Sequence, residues 1–332
     1  GTSAGQGNMT TGANGTVAVG YQAAKAITSA NTTTAIGYQA GLAITDGNGN
    51  TLIGYNAGDA LDSETDNTFV GAYCGAGAIA GADRCVAVGN AALYGAATED
   101  GTVAIGYNAL NDLTSGSGNL AIGYYAMDSL TTGDSNIAIG ASAMGDTNTS
   151  TAVDSDYNII IGHNAGSGDW QSKCVNNVAI GSSSMNGAMD DADNNTAIGH
   201  NALNALITGD ENVAVGAEAG LGLTSSSYGT YIGYRAGKSI TTGHFNTVIG
   251  REALDASAVG VNATVVIGQG AAGASGYDCD SAVVIGYGAM GTGVATSDSD
   301  GTVAIGHSAG AAITSGQRNV ALGYNTMLET TV

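Results

Sequence analysis

No proline occurs in the 332 residues, and only seven lysines and arginines, one tryptophan and two phenylalanines. Each scarcity excludes something. A collagen-like helix would need abundant proline and glycine at every third position, whereas the 55 glycines here follow no such period. Seven cations against 28 acidic residues leave a net charge of −21, so the chain cannot neutralise a phosphate backbone and nucleic acid is not an expected partner. Few Lys and Arg also mean few cleavage points for trypsin-like proteases, which suits an extracellular location. No apolar run is long enough to span a bilayer as a helix, so this segment is not expected to insert into a membrane. The four cysteines form no CxxC, and no histidine-rich tract accompanies them, so zinc is not expected. Catalytic signatures such as GxSxG, HExxH or a phosphate loop are missing, and the expectation is a non-enzyme. Cleavage of a glycan by paired carboxylates is the enzyme alternative. The chain opens at Gly1 without Met, as expected for a segment of something longer.

What is present is a phrase repeated eighteen times: an aliphatic residue or threonine, a small or apolar residue, an aliphatic residue, then glycine. The first glycines are Gly20, Gly37, Gly54 and Gly71, and the last are Gly286, Gly306 and Gly323. Ten of the seventeen intervals are 17 residues and four are 18. A unit that short cannot bury a core alone, so neighbours must stack. With 43% hydrophobic residues the chain has enough apolar side chains to order. The expected fold is all-β: a parallel β-solenoid (β-roll) of about 18 coils with a 17-residue period. It forms one repetitive domain over 1–332, with regular coils from 16 to 328 and an irregular region at 141–180. At the strand spacing of about 4.8 Å, the stack is on the order of 85 Å long.

Within the phrase, the outer two residues share one strand face and the residue between them takes the other. That middle residue is Ala in eleven coils and Leu52, Phe69, Ile160, Tyr231, Val248, Val266 or Val284 in the rest. One of the two faces fills the coil, and the other needs a second cover. The stripe of eighteen small or apolar residues exceeds what a monomer leaves in water, so self-association is expected, as a closed homotrimer or a filament. After the glycine, a row of small residues predicts a tightly packed second strand.

Two ladders recur. Asn stands four residues before the glycine in ten coils, among them Asn50, Asn67, Asn119 and Asn136, in a register that allows stacked amides. Tyr follows the glycine directly at Tyr38, Tyr55, Tyr107 and Tyr124 among others, with His at His163, His200 and His307. Rings in such a row stack, fill grooves between chains, or bind a glycan. Cys74 and Cys85 fall in one coil, where a disulfide or two buried thiols both fit. Cys174 and Cys279 lie six coils apart, too far to pair within one chain.

Acidic residues at D-x-[DN] spacing suggest calcium, with Asp278, Asp280, Asp298 and Asp300 one coil apart as the candidate ligands. The irregular region carries the one Trp and an isolated Lys. Insertions in a solenoid map to loops, so Asp154, Tyr157, Trp170 and Lys173 are the candidate receptor contacts.

Written as NTxIGYNAG or NVAIGxxA, the repeat over residues 16 to 328 resembles the arrays of phage tail-fibre proteins. It also resembles the head repeats of trimeric autotransporter adhesins, although the period of 17 departs from their usual spacing near 14. The resemblance implies a trimeric parallel β-roll. Its function would be that of a structural and adhesive extracellular rod, on a virion fibre or cell surface, meeting a host receptor or glycan. The alternative is the subunit of a self-assembling extracellular filament.

Overall fold

The computed structural model describes every residue except 8, 11–12, 78, 80, 146–154, 256–259, 275, 294, 297–298 and 329–332. The chain divides into two compact units, Gly1–Lys173 and Cys174–Val332. Each is a parallel β-solenoid. The first carries nine three-residue strands, from β1 (Val17–Val19) to β9 (Ile159–Ile161), and the second nine more, from β10 (Val178–Ile180) to β18 (Val320–Leu322). Within a unit, successive strands pair in parallel and in register. Thr51, Leu52 and Ile53, for example, lie opposite Thr68, Phe69 and Val70. Every position of the repeat therefore becomes a row running up the stack.

The middle residue of each strand points inward. Ala35, Leu52, Phe69, Ala104, Ile160 and Tyr231 are fully buried, while Ile36 and Ile53, the third residues of their strands, are 36% exposed. This corrects the face assignment made from sequence: the stripe of small residues is the coil interior. The rows that face outward are the aliphatic and threonine rows flanking it.

Interior volume is shared between two rows. Leu52, Phe69, Ile160 and Tyr231 are each followed six residues later by a glycine: Gly58, Gly75, Gly166 and Gly237. Ala87, Ala104, Ala121 and Ala138 are followed at the same distance by Leu93, Leu110, Met127 and Met144. A Cβ on Gly75 would lie 2.4 Å from Phe69 Cε2, and one on Gly237 2.4 Å from Tyr231 Cδ1. A strand side chain of Leu size or larger leaves no room for one on the following segment, whereas the smaller Val248 and Val284 share the interior with Leu254 and Met290.

The segment after the corner glycine is not the expected second strand but a run of turns. Its second and fourth residues are left-handed, as at Asn108 (φ 52°) and Leu110 (φ 49°). Left-handed residues at alternate positions cannot continue a pleated strand. They instead turn successive N–H groups in opposite directions along the stack. Asn108 donates to Asn90 O in the preceding coil, and Leu110 donates to Ala126 O in the following one.

Candidate functional site

Most backbone N–H groups of a coil donate to a carbonyl one coil away: Thr51 to Asn67 O, Gly54 to Ile36 O, and Asp66 to Asn48 O. Two positions take side-chain acceptors instead, and these explain the polar rows. Four residues before the corner glycine, the amide N–H donates to the Asn side chain one coil earlier. Asn67 N donates to Asn50 Oδ1 at 2.9 Å and Asn136 N to Asn119 Oδ1 at 2.9 Å. The same Asn side chains donate to a carbonyl of the next coil, Asn50 to Glu64 O and Asn119 to Gly133 O, both at 2.7 Å. The Asn ladder is thus a buried staple that satisfies groups left over by the backbone pattern.

Six residues before the glycine the sense reverses. Here the N–H donates to a side chain one coil later: Asp83 to Asp100 at 2.8 Å, Asn262 to Asp280 at 2.7 Å and Asp280 to Asp300 at 2.8 Å. The Asp83 amide, and then the Arg84 guanidinium paired with Asp100, hold the Asp100 carboxyl below its ordinary range. This row contains two of the four calcium candidates, Asp280 and Asp300, and Oδ1 of each accepts from a backbone N–H. Asp278 is exposed, and Asp298 lies outside the described residues. Among the described residues, no three His, Cys, Asp or Glu side chains gather as a metal would require. In this row the hydrogen bonds run between coils, from an N–H to a carboxylate one coil later.

Of the receptor candidates, Asp154 lies outside the described residues, and Tyr157 is 60% exposed. Lys173 Nζ pairs with Asp156 Oδ2 at 2.8 Å, at one side of an open acidic cleft of about 470 Å³ that Glu99, Ser117 and Asp134 also line. Trp170 is 2% exposed and packs beside Gly166 in the interior.

Cys74, Cys174 and Cys279 replace members of buried small-residue rows, Cys85 replaces a member of the Asn row, and none of the four forms a disulfide. Desolvation pushes the Cys74 and Cys174 thiols up to about 12 and Cys279 to about 11, and raises Cys85. Reactivity follows the thiolate. In a thiol-exchange assay at pH 8 the native chain should show almost no reaction, and all four thiols should titrate in denaturant. Fast reaction of two thiols in the native chain would refute the burial.

The tyrosine row is exposed and stacked. Tyr21 and Tyr38 have ring centroids 5.1 Å apart, and Tyr38 and Tyr55 5.0 Å apart with planes within 6°. Tyr73 ends this stack edge-on, at 62° to Tyr55. In the second unit His307 stacks between Tyr287 and Tyr324 at 5.1 and 5.0 Å, so this histidine belongs to the ring row. Beyond Tyr73, coil five has Asn90 and Ala91 in the places that rings take in its neighbours. A notch of about 440 Å³ opens there, lined by Tyr73, Ala91, Tyr94 and Asn111. Sequence reading missed it because the signal is a gap in a row.

Three of the seven cations lie close together in the second unit. Glu218 accepts from Arg235 at 2.9 Å and Lys238 at 3.1 Å, and the Lys238 bond, followed by that of Arg235, lowers its carboxyl below the ordinary range. Arg235 also lies 4.9 Å over the Tyr234 ring, and Arg251 6.0 Å from it. These charges are paired locally. No helix among the described residues is long and apolar enough to cross a membrane. Compared with protein-family models, with curated proteins and with solved structures, the chain finds no match in any of the three.

Proposed function

We propose that the chain is a structural and adhesive rod that works outside the cell, with three copies associating through their strand faces. The observation that carries this reading is the outward face of each solenoid unit. Two adjacent rows of Val, Ile, Leu and Thr run along it, and members such as Ile36, Ile53, Ile198 and Ile232 are 36–38% exposed in the single chain. Continuous apolar surface on this scale marks an interface. Identical chains with identical spacing are the natural cover, because rows of equal pitch interdigitate along their whole length. The likeness of the repeat to tail-fibre and trimeric-adhesin arrays supports the same arrangement. The −21 charge favours solubility of the assembled particle and opposes side-by-side clumping. The reading assigns the chain no catalytic step.

Light scattering on the purified chain tests this. The expected mass is three times the 32.3 kDa of one chain. A double substitution, Ile36→Asp and Ile53→Asp, should shift it toward monomer while the circular dichroism stays that of the parent, because both side chains lie outside the coil. A polydisperse polymer would instead favour the filament. A clean monomer for the parent chain would remove the basis of the reading.

A further inference from the structure

We infer that the notch at Tyr73, Ala91, Tyr94 and Asn111 is a binding site for a neutral hexose unit of a glycan. The inference deepens the adhesive part of the rod reading and rests on it. A sugar ring is recognised by an aromatic face against its C–H surface and by fixed polar groups against its hydroxyls. Most of the tyrosine row cannot serve, because Tyr21, Tyr38 and Tyr55 spend their faces on one another. The row breaks at coil five. Tyr73 is turned 62° from its neighbour, and Tyr94 stacks on no other ring among the described residues, so both rings can offer a face to a ligand. They are 42% and 45% exposed. Between them, Ala91 leaves room that a ring fills at Tyr73 one coil earlier and at Tyr125 two coils later.

The polar component is also in place. The Asn111 side-chain amide donates to Asp112 Oδ1 at 2.7 Å, which fixes the amide and leaves its carbonyl as an acceptor. An acceptor beside a carboxylate suits sugar hydroxyls, which donate. The same carboxylate and the −21 charge of the chain disfavour anionic sugars, so the ligand class is neutral. A notch of about 440 Å³ has room for one or two pyranose rings.

Saturation-transfer NMR on the full chain, with maltotriose, β-1,4-galactotriose and α-1,2-mannotriose as probes, tests the assignment. At least one trisaccharide should bind in the millimolar range or tighter. Tyr94→Ala and Tyr73→Ala should each weaken it at least tenfold, and Tyr38→Ala, inside the stack, should leave it within twofold. The parent's circular dichroism, retained in each variant, separates lost contact from lost fold. Three outcomes overturn the inference: no transfer to any of the probes, equal binding by parent and variants, or displacement of the sugar by phenol at much lower concentration. Light scattering on the same samples keeps the two readings apart. A trimer that ignores all three sugars refutes the notch alone, whereas a monomer that binds one refutes the trimeric rod and leaves the notch standing.

Discussion

Gly123→Ala should break the stack at the coil it closes. The corner residue has φ +145°, a conformation essentially confined to glycine. A Cβ there would lie 2.3 Å from Gly140 O and 2.6 Å from Gly140 C. Those atoms are backbone and belong to the corner of the next coil, so no side chain can move aside. Relieving the overlap means separating the two coils, which would disrupt the parallel pairing of Leu120–Ile122 with Ile137–Ile139. Conformational strain alone costs about 1–3 kcal/mol, and the steric overlap should bring the total to about 3 kcal/mol or more. Hydrogen exchange should show lost protection centred on residues 120–140, because each coil in a solenoid depends chiefly on its neighbours. Gly101→Asn is the control. Gly101 has φ +74° but nothing within 4 Å of its Cβ position, and Asn tolerates a left-handed backbone. Its cost should stay below about 1 kcal/mol. Equal damage from the two substitutions would mean that the approach of the next coil does not set the cost at the corner.

The corner glycine, the three-residue strand and the Asn row were legible in the sequence because each repeats against a fixed mark. The inward face was not. Period-two alternation says that two faces differ, but here both are apolar, and small size at Ala35 or Ala104 looks like a close contact between chains as easily as a narrow interior. The deciding signal was nevertheless present. Phe69 with Gly75, and Ala104 with Leu110, exchange volume between two positions, and two side chains compete for volume only when both point into one space. Comparing rows with each other would have found the interior, where reading each row alone did not. The turns after the corner were misread because Leu110 and Met127 are poor markers of a left-handed backbone. Their conformation is imposed by hydrogen bonds to both neighbouring coils, a tertiary effect with little local trace. The acidic row has a backbone role that spacing along the chain does not reveal. Asp280 looks like a metal ligand beside Asp278, but in the stack its carboxylate caps the N–H of Asn262.

The Asn row yields the other large effect. Asn195 uses both ends of its side chain. Oδ1 accepts from Asn212 N at 3.0 Å, and Nδ2 donates to Gly209 O at 2.6 Å and to Asn177 Oδ1 at 3.2 Å. All of this is buried. Asn195→Ala strands a buried N–H and a buried C=O at about 1–3 kcal/mol each, so the expected loss is about 2–5 kcal/mol. Asn195→Thr should recover part of it, because threonine holds this place in other coils and makes the same donation: Thr264 Oγ1 reaches Cys279 O at 3.0 Å. Asn195→Asp separates hydrogen bonding from shape. Its carboxylate would keep the acceptor for Asn212 N–H but face Gly209 O and Asn177 Oδ1, both acceptors, in a buried place. The ionised form is therefore disfavoured, and the pKa in the folded chain rises above its unfolded value. Stability is then retained below the unfolded pKa and lost as pH rises through the folded one. Urea unfolding should place the Asp variant near the parent at pH 4 and no better than the Ala variant at pH 8, with exchange of the Asn212 N–H reporting the local opening. A pH-independent Asp variant as stable as the parent would mean that water enters the row, and that the amides stack without holding the coils together.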